Sequence, residues 1–135
     1  MSNETPEADE VTAPWWLATR ERRLLLQECA GCGAVQHPPR AVCITCGATD
    51  RLGWTVSGGA GVVDACTVVH RAPAPGFLPP YLVARVRLDE GPVLLSNVVT
   101  GDLGAVQIGD RVRVDWRPLP DGRALPVFTP SDEET

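Results

Sequence analysis

Two short motifs with the same internal spacing decide the fold: Cys29-Ala30-Gly31-Cys32-Gly33 and Cys43-Ile44-Thr45-Cys46-Gly47. Two residues between paired cysteines allow one tight turn to direct both sulfurs at a single ion. A structural zinc ion takes four such thiolates in a tetrahedron, with Zn–S bonds of about 2.3 Å. The glycine after each pair permits the backbone twist that turns amides toward the thiolates. The motifs therefore predict one structural zinc ion bound by Cys29, Cys32, Cys43 and Cys46.

Disulfides, a redox-active dithiol and an iron centre are the alternative interpretations of these four cysteines. An iron site usually spans a longer loop. The first residues are acidic and form no secretory signal, so we expect the chain to reside in the cytoplasm. Cysteines stay reduced there, which disfavours disulfides. Four sulfurs leave a zinc ion no open coordination position, so the metal is not expected to activate water.

The segments around the motifs divide the chain. Residues 1–11 are polar and acidic, which predicts a disordered tail. Thr12 and Pro14 favour a helix start, and we expect a short helix over residues 12–23. The zinc ribbon is expected over residues 24–53, an OB-fold over residues 54–130 and a second acidic tail over residues 131–135.

The second half of the chain is typical of a small closed β-barrel. Residues 111–116 alternate strictly between polar and apolar side chains, as a half-buried strand does. About 75 residues are few for two stacked sheets, so five strands favour a single barrel. The five expected strands are residues 62–69, 81–88, 93–99, 111–116 and 125–128.

Composition supports a mainly β protein and excludes several functions. The 135 residues include 13 Gly and 13 Pro, too many for long helices. No apolar run approaches the roughly 18 residues of a membrane span. All 12 basic residues are Arg, and the net charge is −5, so neither Schiff-base chemistry nor a broad polybasic surface for nucleic acid is expected.

The predicted helix carries the adjacent Trp15 and Trp16, followed by Leu17. Neighbouring residues on a helix point about 100° apart, so one buried face hardly covers both rings. In one interpretation, one Trp lies in the core and the other is only partly covered. The other interpretation makes Trp15, Trp16 and Leu17 a partner-binding surface, since Trp is enriched among interface hot spots.

The remaining reactive residues do not form a catalytic set, and we assign no catalytic residue. Cys66 lies in a predicted strand and is expected to be a small buried thiol. His37 is expected on an exposed loop, and His70 ends the first long barrel strand, beside Arg71.

Further motifs accompany the two CxxCG motifs in a fixed order. They are Pro38-Pro39-Arg40, Ser57-Gly58, Thr67-Val68-Val69-His70, Pro75-Gly76-Phe77, Pro80-Tyr81, Leu88-Asp89-Glu90-Gly91 and Leu125-Pro126-Val127-Phe128-Thr129-Pro130. Together with both CxxCG motifs, they resemble the DUF35 family, and the resemblance covers roughly residues 14–130. Ile44 stands where that family commonly has Pro, and Cys66 where Ser or Thr is usual.

The resemblance implies a helix, a rubredoxin-like zinc ribbon, an OB-fold and an acyl-CoA-associated accessory role. In actinobacteria, such units pair with thiolase-like lipid-transfer-protein aldolases that cleave steroid side-chain CoA thioesters by retro-aldol reaction. There the unit is often the tail of a chain whose other half is a hot-dog-fold hydratase. The resemblance thus implies a hetero-oligomer with acyl-CoA at or near the interface, for which His70, Arg71, Arg85 and Arg87 are candidate contacts.

Three other functions stay open. In archaea, the family bridges a thiolase and a hydroxymethylglutaryl-CoA synthase. A stand-alone acyl-CoA-binding protein is the second alternative. A nucleic-acid-binding OB module is the third, although its two central strands hold only one aromatic residue, Tyr81, as a stacking platform.

Overall fold

The computed structural model describes residues 5–131 as one short helix followed by eight strands in two sheets. This mainly β architecture confirms the predicted fold class. The elements are α1 (Ala13–Thr19), β1 (Leu25–Cys29), β2 (Val35–Gln36), β3 (Leu52–Val56), β4 (Ala60–Val69), β5 (Tyr81–Leu88), β6 (Val93–Val98), a 3₁₀ turn (Leu103–Ala105), β7 (Arg111–Pro118) and β8 (Ala124–Pro130).

The first sheet holds the cysteine motifs. Its strand order is β2-β1-β3, and both pairings are antiparallel. Strand β3 pairs along the whole of β1, from Leu25 opposite Val56 to Cys29 opposite Leu52. The expected boundary between residues 53 and 54 therefore falls inside a strand, and the ribbon sheet continues to Val56. Gly53 and the short length of β3 give it a weak strand pattern, which is why the sequence did not mark it.

The second sheet closes on itself as a barrel with the order β4-β5-β6-β8-β7. Strand β4 is long enough to pair with both β5 and β7, which closes the ring. The register between β4 and β5 shifts by one residue between Val63 and Ala65, as at a β-bulge. Strands β6 and β8 run parallel and share one register pair, Val98 with Phe128. A five-stranded barrel of this kind is the expected OB-fold.

Helix α1 ends at Thr19, four residues before the end of the expected range. Arg20 N–H donates to the Leu17 carbonyl at 3.2 Å, and Glu21 N–H donates to the Ala18 carbonyl at 3.0 Å. These bonds tighten the last turn toward 3₁₀ geometry. Arg22 then takes a φ of 58°, a left-handed conformation that no helix continues through.

Residues 5–11, part of the segment expected to be disordered, contact the rest of the chain. Asp9 Oδ1 accepts hydrogen bonds from the amides of Val11 at 2.9 Å and Thr12 at 2.8 Å, which forms a turn before α1. The Pro6 carbonyl accepts from Arg123 Nη2 at 2.5 Å. The rest of that segment, residues 1–4, and residues 132–135 of the expected C-terminal tail lie outside the described residues.

One hydrophobic core joins the two sheets. Phe128, Val86 and Leu26 are fully buried and belong to one cluster, which spans the barrel, β1 and α1. Since burying an aliphatic side chain contributes about 1.5–3 kcal/mol, this shared core fixes the ribbon and helix against the barrel. Within residues 5–131, no helix has the length and apolar character needed to cross a membrane.

Candidate metal centre and binding surfaces

The two cysteine motifs form two turns with the same hydrogen bonds. Gly33 N–H donates to the Cys29 carbonyl at 2.7 Å, and Gly47 N–H donates to the Cys43 carbonyl at 2.9 Å. Both glycines have a φ of 79°, which an L-residue with a Cβ atom rarely adopts. The matched geometry presents the four sulfurs from two equivalent turns, as the sequence spacing predicts.

The four sulfurs converge on one point. All four Sγ atoms lie within 4.8 Å of one another. The Cys29–Cys46 and Cys32–Cys43 sulfur pairs are each 3.7 Å apart. A tetrahedron with metal–sulfur bonds of about 2.3 Å has edges of about 3.8 Å, so the spacing fits a four-coordinate thiolate site. These four residues could hold a metal ion.

The backbone around the second motif favours a thiolate. Amides of Cys46 and Thr45 stabilise the charged form and lower the pKa of Cys43 to about 6. At Cys32, a backbone hydrogen bond near Ala34 acts in the same direction. There, desolvation and the neighbouring thiols outweigh it and raise the pKa to about 12. Four clustered sulfurs repel one another's negative charges, and a divalent cation relieves that repulsion.

Two buried glutamines hold the loop that joins the motifs. Gln36 Nε2 donates to Gln27 Oε1 at 2.8 Å, and Ile44 N–H donates to Gln36 Oε1 at 3.0 Å. Gln27 exchanges two hydrogen bonds with the backbone of Arg40, each 2.8 Å long. Since Ile44 follows Cys43 directly, the Gln36 side chain positions the second cysteine turn. No periodic pattern in the sequence marks this role, because most of the partners are backbone atoms of a loop.

The two adjacent tryptophans have different environments. Trp15 is 7% exposed and belongs to the core, whereas Leu17 is 65% exposed. Trp16 is half-buried, and the Arg123 guanidinium lies 4.8 Å from its ring centre. The two indole rings meet edge to face at 4.8 Å. The structure therefore leaves Leu17 and part of Trp16 accessible for a partner, and it places Trp15 inside.

His37 is half-buried, not exposed as the sequence indicated. Its ring lies 5.9 Å from that of Trp15, and burial lowers its pKa to about 4. Within residues 5–131, His37 Nδ1 and Trp15 Nε1 are buried without a hydrogen-bond partner. A cavity of about 200 Å³ lies between α1 and the ribbon, lined by Thr12, Trp15, Trp16, His37, Pro38 and Pro39.

The four candidate acyl-CoA contacts lie at two places on the barrel. His70 and Arg71 are exposed where the chain leaves β4. Arg85 and Arg87 are exposed on β5, where Asp64 pairs with both, at 3.8 Å and 2.8 Å respectively. Asp64 thus offsets part of the positive charge that the sequence assigned to this strand.

Cys66 on β4 is half-buried, whereas the sequence predicted a buried thiol. Its sulfur lies 3.9 Å from the Val106 carbonyl oxygen. Arg117, which the sequence did not single out, lines two cavities on the outer face of the barrel. No local pattern marks it, because the cavity walls come from four separate strands and a loop.

The fold and the site together define a four-cysteine ribbon joined to an OB-fold barrel. Two family models match: the ChsH2 rubredoxin-like zinc ribbon domain over residues 16–50 and the ChsH2 C-terminal OB-fold domain over residues 54–117. A DUF35 domain-containing scaffold protein of Methanothermobacter thermautotrophicus is 30% identical over 110 residues, which cover 80% of this chain and 82% of that protein. The chain belongs to the DUF35 family.

Two bacterial relatives are longer. The chain is 38% identical to a probable enoyl-CoA hydratase alpha subunit of Thermomonospora curvata, over 93% of this chain and 39% of that protein. It is 30% identical to the 3-oxo-4,17-pregnadiene-20-carboxyl-CoA hydratase alpha subunit of Mycobacterium tuberculosis, over 86% of this chain and 37% of that protein. The chain thus spans about two fifths of the length of these relatives.

A solved structure shares the complete architecture. A chain of the Ltp2-ChsH2(DUF35) aldolase superposes with a TM-score of 0.84 and is 37% identical, and the match covers 93% of this chain and 98% of that one.

Proposed function

We propose that this chain is the accessory subunit or domain of a thiolase-superfamily, lipid-transfer-protein-like aldolase. The complex would cleave acyl-CoA thioesters by a retro-aldol reaction, and steroid side-chain CoA thioesters are the proposed substrates. The observation that carries the proposal is the match to a chain of the Ltp2-ChsH2(DUF35) aldolase over 93% of this chain and 98% of that one. The hydratase relative named for a pregnadiene carboxyl-CoA supports the steroid assignment.

The residues of the chain support an organising role. A retro-aldol reaction needs a base for the hydroxyl proton and a site for the departing enolate. His37 packs against Trp15 beside the ribbon, whereas His70 is exposed at the end of β4. We therefore assign the chemistry to the aldolase, and binding, orientation and acyl-CoA contact near the interface to this chain. A hot-dog-fold hydratase domain is a further proposed partner, and the cytoplasm, where thiols stay reduced, is the proposed location.

The metal in this proposal is one structural zinc ion per chain. Its support is the tetrahedral spacing of the four sulfurs and the all-thiolate donor set. Metal analysis of freshly purified protein should give one equivalent of zinc, and Cys29→Ser should lose it. Less than about half an equivalent of every metal would contradict the assignment.

Reconstitution tests the partner role. The chain and the thiolase-like aldolase from the native host are purified separately and mixed, and mass and turnover are measured. We expect a hetero-oligomer and retro-aldol activity that needs both proteins. An aldolase that is fully active alone and does not bind this chain would overturn the proposal.

A bridging role is the second candidate, supported by the archaeal relatives named as scaffold proteins. Co-purification from the native host distinguishes the two. A thiolase together with a hydroxymethylglutaryl-CoA synthase would support bridging, whereas a single thiolase-like aldolase would support the accessory role.

A further inference from the structure

The outer face of β5 and β6 is unusually apolar at one end. The inward side chains of β5, such as Leu82 and Ala84, are 1% exposed and fill the barrel. On the outward face, Val83 lies opposite Asn97, and next to this pair Leu95 is 74% exposed. Leu95 and Val83 line the same surface depression, and contiguous exposed apolar side chains, unlike isolated ones, mark binding surfaces.

The loop before β5 adds aromatic area to this face. Phe77 stacks on Tyr81, with ring centres 5.8 Å apart and planes 29° from parallel. With Leu95 and Leu125, they line a cavity of about 250 Å³. A neighbouring cavity of about 210 Å³ shares Tyr81 with it. We call the two together the outer cleft, lined by Phe77, Tyr81, Leu95, Asn97, Arg117 and Leu125.

Arg117 brings a positive charge into this apolar cleft and lines both cavities. Its side chain is half-buried, and its guanidinium has no hydrogen-bond or ion-pair partner among residues 5–131. Other barrel arginines are paired: Arg111 binds Asp89 through two bonds of 3.0 Å, and Arg87 binds Asp64 at 2.8 Å. Burial without an anion disfavours the charged form and lowers the pKa of Arg117.

Asn97 lines both cavities together with Arg117 and is held by a hydrogen bond to β5. Asn97 Nδ2 donates to the Leu82 carbonyl at 3.0 Å, which fixes the side-chain amide in place. A guanidinium in partly desolvated surroundings binds phosphate or carboxylate through paired N–H donors. OB-folds bind ligands on the face of the strands that correspond here to β5 and β6.

We propose that the outer cleft binds a small amphipathic anion, whose phosphate or carboxylate pairs with Arg117 while its apolar part lies on Phe77, Tyr81 and Leu95. This inference goes beyond the proposed accessory role and holds with or without it, since it depends on the barrel alone. A single-stranded nucleic acid fits less well, because it needs several stacking platforms along a positive groove.

The test uses the full chain and an aromatic anion, 8-anilinonaphthalene-1-sulfonate, whose fluorescence reports binding. Arg117→Met should weaken its binding by at least about tenfold, the effect of losing one charge-assisted hydrogen bond. Arg113→Met is the matched control, because it removes the same charge from an exposed position on the same strand. Arg117→Lys should retain part of the affinity.

Displacement of the probe identifies the anionic group. Octanoate displacing more strongly than adenosine 3′,5′-bisphosphate indicates a carboxylate ligand, and the reverse order indicates a phosphate ligand. A single-stranded oligonucleotide that displaces better than both would overturn the proposal. Equal losses in Arg117→Met and Arg113→Met would also overturn it, since they would show unspecific charge attraction.

A second variant keeps the proposal testable if Arg117→Met fails to fold. Leu95→Glu changes an exposed side chain and places a negative charge in the cleft. Probe binding should then fall at least about tenfold at an unchanged melting temperature. Unchanged binding in Leu95→Glu would place the probe elsewhere and refute the site.

Discussion

The side-chain amide of Gln36 donates a 2.8 Å hydrogen bond to Oε1 of Gln27, and both residues are buried beside the cysteine turns. Through Gln36 Oε1 this pair also holds the amide of Ile44. The geometry of the second turn thus depends on side chains that do not contact the metal position.

Gln36→Leu should therefore weaken zinc binding without removing a ligand. Partners outside the ligand set typically contribute about 10- to 100-fold to metal affinity. Zinc release to a colorimetric chelator should be faster by a factor in that range. Gln107→Leu, the same change on an exposed loop, is the control, and equal release from both variants would show that the glutamine pair does not support the site.

Thr19 links the helix to the last barrel strand. Its hydroxyl is fully buried, accepts from the Ala124 amide at 3.1 Å and donates to the Trp16 carbonyl at 2.6 Å. Thr19→Val leaves that buried amide unpaired, which should lower the free energy of unfolding by about 1–3 kcal/mol. Urea denaturation measures the change. Thr19→Ser keeps the hydroxyl, so a Val variant as stable as the Ser variant would contradict the prediction.

His37 should make stability depend on pH. Burial lowers its pKa from 6.5 to about 4, so below pH 6.5 the unfolded chain binds the proton first. The free energy of unfolding is therefore unaffected by His37 above about pH 6.5, and protonation of the unfolded chain lowers it as the pH falls toward 4. Urea denaturation at pH 7.5 and 5.5 should show a smaller loss for His37→Phe than for the unmodified chain.

The loss of stability between pH 7.5 and 5.5 is attributed to His37 only if substitution of the other histidine does not change it. His70→Asn alters the exposed histidine at the end of β4 and serves as the control. A loss between pH 7.5 and 5.5 that is the same with and without His37 would assign it to other groups, such as the cysteine thiolates.

A substitution at Leu17 is the most direct test of the proposed partner surface. Trp15→Ala would remove core contacts and lower stability by about 3–5 kcal/mol, which obscures any effect on binding. Leu17→Asp changes an exposed side chain and should leave the melting temperature unchanged. If Leu17 is a hot spot, the affinity for the aldolase should fall by at least about 30-fold, or 2 kcal/mol.

Ile108→Asp provides the comparison for Leu17→Asp, because Ile108 is 70% exposed on a barrel turn. Titration calorimetry with both variants separates the helix surface from general effects of added charge. Normal affinity of Leu17→Asp for the aldolase would show that the helix is not part of the interface.

Local patterns predicted most of the fold. The CxxCG spacing constrains neighbouring residues directly, and the alternation of residues 111–116 reports one buried strand face. Strand β3 was missed because Gly53 weakens its pattern, and the burial of His37 was missed because it depends on the packing of α1. Arg117 and the glutamine pair depend on chain segments brought together only by folding, which no local pattern records.

The single register pair between β6 and β8 makes that junction the weakest in the barrel. Beside it, the Val99 amide donates to the Phe128 carbonyl at 2.7 Å, and Ser96 Oγ donates to the Pro126 carbonyl at 2.9 Å. Amide hydrogens at such a junction exchange with solvent through local openings, which require less free energy than global unfolding. We expect deuterium to reach Val99 well before it reaches the β4–β5 amides, so the barrel has a defined point at which it opens while the rest stays folded.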